Sequence, residues 1–390
     1  MSELSARGFS IDEYQHRLAH TQREMAAQEI DALLLTTEAD IRYYSGFLTQ
    51  FWQSPARPWF LVLPAAGKPV AVIPGIGELC MRRTWVEDIR CWSSPDPHDD
   101  GVSLLIDTLR ECLGESGRLG LQMGAETSLR MPLASYEAVR AGLARASIVD
   151  ATTIVQAQQQ VKSEAEIARI TFACQAVSRA FDRLPEIAAT GDSERAIFQR
   201  FKHECLDQGV DDVCYLVGAT AADGYRDIIS PPSDRIVSQG DVLILDTGCT
   251  HDGYFCDFDR NFAFGKVDRA TADAYSRVHE SIDAALDLAR PGVTCAQLYQ
   301  CMQSVLATKT DTSDSGNVGR MGHGLGMQLT ETPSITHFDQ TEMQAGMVMT
   351  LEPGMAYGEG RIMVHEENIV ITADGCKLLT QRAAAKIPLI

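Results

Sequence analysis

The stretch that decides the fold spans residues 242–260 and reads VLILDTGCTHDGYFCDFDR. Two apolar runs each reach an aspartate, Asp246 and Asp257, and residues 247–253 between them contain turn-forming residues. This pattern predicts two paired strands, and a hairpin of this size would bring both carboxylates to one face of a sheet. A lone buried carboxylate is costly unless it is paired or bound to a cation, so the pair points to a metal site.

Three polar residues further along the chain extend this set. His323 lies in the glycine-rich segment GHGLG, Glu352 in TLEPG, and Glu367 in VHEENIVIT. Each of these alone is typical of an ordinary turn, loop or strand end. Together with Asp246 and Asp257 they form four carboxylates and one imidazole, which about two divalent cations would neutralise. Such a donor set suits Mn²⁺, Co²⁺, Fe²⁺ or Zn²⁺.

The length and the patterning predict two domains. The chain has 390 residues, of which 45% are hydrophobic, so it can bury a large core. Residues 1–155 alternate helical and strand patterns, which predicts an α/β domain. Residues 156–390 predict an α+β domain in which helices cover a curved, largely antiparallel sheet.

Composition excludes several classes of partner. The net charge of −19 argues against a protein that binds nucleic acid through its phosphates. We find no apolar stretch of membrane-spanning length and no apolar core of a signal peptide near the N-terminus. Eleven cysteines without a CxxC pair favour reduced thiols. We therefore expect a cytoplasmic protein without a membrane or nucleic-acid partner.

These motifs resemble the pita-bread metallohydrolases, the family of methionine aminopeptidase, aminopeptidase P, prolidase and creatinase. The matching segments are the Asp-x-Gly at Asp246, the Asp-x-x-Arg that begins at Asp257, GHGLG, TLEPG and the Glu-Asn pair at Glu367. The first half is similar to the non-catalytic N-terminal domain of the aminopeptidase P, prolidase and creatinase branch. There, the segment IRYYSGF (41–47) resembles the usual Tyr-x-x-Gly-Phe.

The resemblance implies a pita-bread catalytic domain preceded by a smaller creatinase-type domain, assembled as a homodimer. It also implies two divalent metal ions, with Mn²⁺ favoured over Co²⁺, Zn²⁺ or Fe²⁺. Asp246 and Asp257 would hold one ion, His323 and Glu352 the other, and Asp257 and Glu367 would bridge them. Glu352 would move the proton of the attacking water. The implied activity is hydrolysis of a small amide in an Xaa-Pro dipeptide by a metal-bound hydroxide.

The chain departs from this family at two histidines that hold the substrate. Ile229 or Ser230 stands where one of them is usual, and Thr330 replaces the other. His365 is a third catalytic candidate beside Glu352 and His323, either as a substitute proton donor or as a partner of a ligand. The departures keep a second hypothesis open, a lyase or amidohydrolase that acts on a small zwitterionic metabolite. A metal-free binding protein on the same scaffold is the third.

Substrate contacts are expected from four residues. Thr330 occupies a substrate-side position of the family, and Tyr225 precedes the segment that lacks the histidine. Trp52 and Arg57 lie in an unusually aromatic run. In the dimers of this family the N-terminal domain covers the partner's site, so these two side chains are expected to line the neighbouring substrate pocket.

Overall fold

The computed structural model describes residues 7–114, 116–307 and 319–390. The chain divides into two compact units, an N-terminal unit of Ala6–Gln159 and a C-terminal unit that begins at Gln160. None of the helices in the described ranges combines the length and the apolar character that crossing a bilayer requires.

The N-terminal unit consists of one sheet and its helices. Its strands are β1 (Ala32–Leu35), β2 (Phe60–Pro64), β3 (Val70–Pro74), β4 (Asp88–Trp92), β5 (Arg118–Leu121) and β6 (Ser147–Asp150). Its helices are α1 (Ile11–Ala27), α2 (Glu38–Ser45), α3 (Glu78–Met81), α4 (Val102–Leu113), α5 (Leu133–Gly142) and α6 (Thr152–Gln160).

The six strands of this sheet have the order β4-β3-β2-β1-β5-β6. β2 pairs antiparallel with β1 and β3, whereas the other neighbours are parallel. The central strands read as continuous apolar runs because both of their faces are buried. Leu34, Val62 and Leu105 belong to the core on one face. The α/β character predicted for this part of the chain is confirmed.

The C-terminal unit carries longer helices and antiparallel strands. Its helices are α7 (Glu164–Asp182), α8 (Leu184–Ile187), α9 (Glu194–Asp207), α10 (Arg269–Leu288) and α11 (Cys295–Leu306). Its strands are β7 (Asp212–Ala222), β8 (Asp241–His251), β9 (Tyr254–Ala263), β10 (Gly322–Gly324), β11 (Glu331–Ser334), β12 (Val348–Leu351), β13 (Gly354–Tyr357), β14 (Arg361–Val364), β15 (Glu367–Ile371) and β16 (Cys376–Leu378).

These strands form two antiparallel sheets and a hairpin. The order is β7-β8-β9 in the first sheet and β11-β10-β12-β15-β16 in the second, and β13 pairs with β14. Every pairing is antiparallel. Helix α7 packs on β8 and β9, and α10 packs on the β13–β14 hairpin. Helices on antiparallel sheets agree with the predicted α+β architecture.

Three connections between elements are defined by local residues. Helix α6 ends at Gln160, and Ser163 caps α7 in a capping box with Glu166. The turn between β8 and β9 is only Asp252-Gly253, with positive φ at both residues, as a tight hairpin requires. Between Glu352 and Glu367 the chain forms the β13–β14 hairpin.

Candidate metal centre

The β8–β9 hairpin brings Asp246 and Asp257 to one sheet face. Asp246 lies opposite Asp259, and Asp257 lies opposite Gly248. Residues two apart on a strand share a face, so all three aspartates point to the same side. Gly248, opposite Asp257, leaves room for Leu329, because a Cβ there would lie 2.3 Å from Cδ1 of Leu329.

His323 approaches the same group from the second sheet. Strand β10 places His323 opposite Thr350 of β12. Its Nε2 lies 3.4 Å from Oδ2 of Asp257 and 3.9 Å from Oε2 of Glu352. Its Nδ1 lies 2.8 Å from the carbonyl oxygen of Gly324. A carbonyl only accepts, so Nδ1 carries the proton and Nε2 is the nitrogen able to bind a metal.

Glu366, and not Glu367, joins Asp246 and Asp257 in a group of three carboxylates, called the acidic group below. Asp246, Asp257 and Glu366 each offer an oxygen, and these atoms lie within 4.8 Å of one another. Glu367 instead accepts hydrogen bonds from Arg260 at 2.9 Å and Arg382 at 3.1 Å. Neighbouring residues of an extended chain point to opposite sides. The expectation for Glu367 is therefore corrected by one residue, and the chain offers Glu366 to the aspartates.

Asn368 fixes the position of Asp257 between the two sheets. The backbone N–H of Asp257 donates to Oδ1 of Asn368 at 2.9 Å, and Nδ2 of Asn368 donates to the carbonyl of Asp257 at 2.6 Å. The Thr350 hydroxyl donates to the same carbonyl at 3.3 Å. These bonds tie β9 to β12 and β15, which is why Asp257 meets Glu366 across two sheets.

The electrostatics of this group fit a divalent cation. Burial raises the pKa of Asp246 and Glu366 well above the usual carboxyl range, and the neighbouring carboxylates add to both shifts. Burial also raises the pKa of Asp257. Oδ1 of Asp246 and Oε2 of Glu366 are buried and have no hydrogen-bond partner among the described residues. Orphaned, mutually repelling oxygens beside a ring nitrogen are the donor set that a divalent metal ion neutralises.

His365 belongs to a neighbouring network. It is fully buried, with Nδ1 3.5 Å from Oδ1 of Asp259 and Nε2 3.4 Å from Oε1 of Glu367. Burial by itself raises the pKa of Glu367, but Arg260 and His365 lower it, and the net shift is downward. The polar contacts of His365 are with Asp259, Glu367 and Arg382 instead of with Asp246, Asp257 or Glu366.

Two polar side chains next to the acidic group, Arg320 and Tyr215, were not predicted from the sequence. Nε of Arg320 donates to Oε1 of Glu352 at 3.1 Å, and its Nη2 donates to Oγ1 of Thr330 at 3.2 Å. Tyr215 on β7 lies opposite Gly248, two residues from Asp246 along β8, and burial together with the charge of Asp246 raises the pKa of Tyr215. Both residues lie outside the recognisable motifs, so only the alternation of β7 could have indicated Tyr215. Thr330 is half-buried and accepts the hydrogen bond from Nη2 of Arg320.

The structure does not bring Tyr225 to this group. Its side chain is fully buried, and its hydroxyl donates to Oδ1 of Asn261 at 2.7 Å. Tyr225 is therefore a core residue, which corrects its assignment as a substrate contact. Ile229, at one of the positions that lack the histidine, has 74% of its surface exposed.

Trp52 and Arg57 both contact other residues of the N-terminal unit. Trp52 is 8% exposed and packs on the rings of Phe47 and Trp59. Arg57 is half-buried, and its Nε donates to Oγ of Ser94 at 2.7 Å. Trp52 is thus mostly a core side chain of its own unit.

Comparison with known proteins assigns each part of the chain to a described family. Residues 168–373 match the profile of metallopeptidase family M24, and residues 17–161 match the creatinase/prolidase N-terminal domain. A Mycobacterium tuberculosis protein named "Probable dipeptidase PepE" is 27% identical over 384 residues, covering 95% of this chain and 96% of the relative.

Two further relatives carry peptidase names. The Xaa-Pro dipeptidase of Pyrococcus horikoshii is 27% identical over 262 residues, covering 66% of this chain and 73% of the relative. The crystal structure of dipeptidase PepE from Mycobacterium ulcerans superimposes with a TM-score of 0.84 at 26% identity, covering 99% of this chain and 100% of that one.

Proposed function

This chain belongs to metallopeptidase family M24, and on that premise we propose that it is a metal-dependent dipeptidase that hydrolyses Xaa-Pro dipeptides with a dinuclear centre. The observation that carries the proposal is the convergence of Asp246, Asp257 and Glu366 within 4.8 Å, with Nε2 of His323 3.4 Å from Asp257. The names of the dipeptidase relatives support the substrate class.

Five residues would hold the metal ions. Asp246 and Asp257 would hold one ion, His323 and Glu352 would hold the other, and Asp257 and Glu366 would contribute to both. When bound, two divalent ions supply an activated water molecule and polarise the scissile carbonyl group. Mn²⁺ is the favoured ion because oxygen donors dominate the set, and Co²⁺, Zn²⁺ and Fe²⁺ also suit it.

The remaining chemistry falls to side chains of this protein. Glu352 takes the proton of the attacking water and delivers it to the leaving amine. Its carboxylate is half-buried, so a substrate can reach it. Asn368 holds Asp257 in place through two backbone hydrogen bonds. His365 supports Asp259 and Glu367 and takes no direct part in proton transfer to the substrate.

A second candidate function keeps the metal centre and changes the substrate. Thr330 stands where the family has a substrate-side histidine, and a hydroxyl is a weaker proton donor than an imidazolium. This substitution favours an amidohydrolase or lyase that acts on a small zwitterionic metabolite.

One experiment separates the two candidates. Metal-free protein is reloaded separately with Mn²⁺, Co²⁺ or Zn²⁺, and release of free proline is measured from a panel of Xaa-Pro dipeptides. The dipeptidase proposal expects turnover with at least one ion and none in an Asp257→Ala variant. Absence of turnover with every ion and dipeptide would favour the second candidate.

The proposal extends to the compartment of the enzyme and to its oligomeric state. Every cysteine of the chain is a free thiol, which suits a reducing cytoplasm. The resemblance implies a homodimer in which Trp52 and Arg57 lie beside the partner's substrate. Light scattering measures the assembly, and Arg57→Ala tests the contact because Arg57 is less buried than Trp52. An unchanged KM in that variant would rule out the contact.

A further inference from the structure

The side-chain amide of Asn368 takes the place of a neighbouring strand at Asp257. β9 lies at the edge of its three-stranded sheet. Oδ1 of Asn368 accepts from the backbone N–H of Asp257 at 2.9 Å, and Nδ2 donates to its carbonyl at 2.6 Å. These are the two backbone hydrogen bonds that a residue of an adjacent strand would exchange. The position of Asp257 therefore depends on how one amide side chain is oriented.

The thiol of Cys174 donates to the same amide. Cys174 lies on α7 and is fully buried, and its Sγ lies 3.3 Å from Oδ1 of Asn368. Burial raises the pKa of this thiol well above its usual range, and the nearby charge of Glu367 adds to the shift. The sulfur therefore keeps its proton and acts as the donor. Because an amide oxygen has two lone pairs, it accepts from Asp257 and Cys174 together.

Helix α7 is bound near both β9 and β15. Nε of Arg169 lies 3.0 Å from Oδ2 of Asp252, in the turn between β8 and β9. One residue beyond the thiol, Nε2 of Gln175 donates to the carbonyl of Leu379 at 2.6 Å. The N–H of Leu379 in turn donates to the carbonyl of Asn368 at 2.8 Å. The thiol is therefore presented to the amide from a helix whose position is already fixed.

Cys174 differs in this respect from a cysteine that only fills space. Cys295 is also fully buried, but it belongs to an apolar cluster with residues of α10 and α11. The sulfur of Cys174 instead contacts Asn368, the side chain that holds a proposed metal ligand. Its removal should therefore change the geometry of that ligand as well as the packing of the core.

Resting on the proposed metal centre, we propose that Cys174 is a positioning residue of that centre. Its thiol orients the amide of Asn368, and the amide fixes the backbone of Asp257. The carboxylate of Asp257 is thereby held where it meets Asp246 and Glu366. Cys174 itself takes no part in the chemistry, since it acts through Asn368.

A double-mutant cycle tests this coupling on the metal-free full chain, titrated with Mn²⁺. Cys174→Ala is expected to weaken the Mn²⁺ affinity by roughly 3- to 10-fold, because a thiol is a weak donor that acts here through a second residue. In an Asn368→Ala background the same substitution should cause no further loss, since the side chain that transmits the effect is gone. An equal loss in both backgrounds, or no loss in either, would overturn the proposal.

Two further variants separate the hydrogen bond from packing. Cys174→Ser keeps a donor in a side chain close in size to alanine, and it should bind Mn²⁺ more tightly than Cys174→Ala. Cys295→Ala removes an equally buried thiol and should leave the Mn²⁺ affinity at the wild-type level. A serine variant no better than the alanine variant, or an equal loss in Cys295→Ala, would show that packing alone is affected and would overturn the proposal.

Amide hydrogen exchange keeps this inference separate from the proposed function, because it requires neither metal nor turnover. The N–H of Asp257 is protected by its bond to Asn368. In metal-free protein, Cys174→Ala should therefore speed exchange in the segment that contains Asp257, and Cys295→Ala should not. If wild-type protein binds no Mn²⁺, the proposed metal centre fails, and exchange still decides whether Cys174 positions Asp257. Exchange at the wild-type rate in Cys174→Ala would overturn the inference.

Discussion

Glu366 and Glu367 are neighbours in the chain, yet they serve opposite sides of the second sheet. Glu366 presents an oxygen to Asp246 and Asp257, whereas Glu367 is bound by Arg260 and Arg382. The alternation of an extended strand forces this division. One glutamate is therefore available to metal ions, and the other is the structural counter-ion of two arginines.

Glu367→Gln is expected to destabilise the fold and to leave metal binding intact. The substitution removes the negative charge between Arg260 and Arg382, and breaking a buried ion pair costs about 3–5 kcal/mol. Urea unfolding of the metal-free protein measures the loss, with the exposed pair variant Glu78→Gln as the control, for which less than about 1 kcal/mol is expected. An unfolding free energy equal to that of wild type would contradict the role assigned to Glu367.

Asn368→Ala is expected to weaken metal affinity or activity by about 10- to 100-fold, as is typical when a partner of a ligand is removed. The reason is the loss of both hydrogen bonds that hold the backbone of Asp257. Metal titration and kcat/KM for the best dipeptide measure the effect. Asn261→Ala is the matched control, because Asn261 is also buried on β9 but donates to the carbonyl of Val364. Equal effects of the two substitutions would indicate a general loss of packing.

Lys162→Met is expected to destabilise the C-terminal unit by about 3–5 kcal/mol, since it leaves the buried carboxylate of Glu331 without its cation. The double variant Lys162→Met/Glu331→Met should recover most of that loss, because no uncompensated charge remains. Thermal or urea unfolding measures both. A double variant that is less stable than the single one would contradict this account of the pair.

Stabilisation by metal ions is expected to increase as the pH rises from about 5 to 8. Burial raises the pKa of Asp246, Asp257 and Glu366 in the metal-free fold. Folded protein then holds more protons than unfolded protein, so these groups make the metal-free fold less stable as the pH rises above their unfolded pKa values. Metal ions displace these protons and remove the penalty.

The corresponding measurement is the difference in Tm between metal-loaded and metal-free protein across this pH range. Asp246→Asn should flatten the dependence, because it removes one of the titrating ligands. A difference in Tm that falls with rising pH would contradict the burial-driven shifts.

Local patterns were sufficient to predict much of the fold and part of the site. Apolar runs that end in Asp246 and Asp257 predicted the β8–β9 hairpin, and glycines around His323 marked its segment. The pattern could not separate Glu366 from Glu367, because two adjacent glutamates before an apolar run suit either register. Which of them faces the aspartates depends on how β15 packs against β9. Asn368 makes that contact with Asp257, which is 111 residues away in the sequence.

Substrate-side residues were harder to predict for the same reason. Arg320 meets Glu352 across 32 residues of sequence, and it lies outside the glycine-rich motif. Tyr225 was predicted to contact the substrate, but its side chain is fully buried. Only the pairing of β7 with β8 shows that Tyr215 lies opposite Gly248, on the same sheet face as Asp246, and only the folded structure shows that Tyr225 is buried in the core.

The most direct test of the metal centre is the metal content per chain of wild type, Glu366→Gln and Glu367→Gln, measured by elemental analysis after loading with Mn²⁺ and desalting. We expect two ions per chain for wild type and for Glu367→Gln, and a loss of metal for Glu366→Gln. Wild-type protein without bound metal, or a Glu366→Gln variant that keeps both ions while Glu367→Gln loses them, would contradict it.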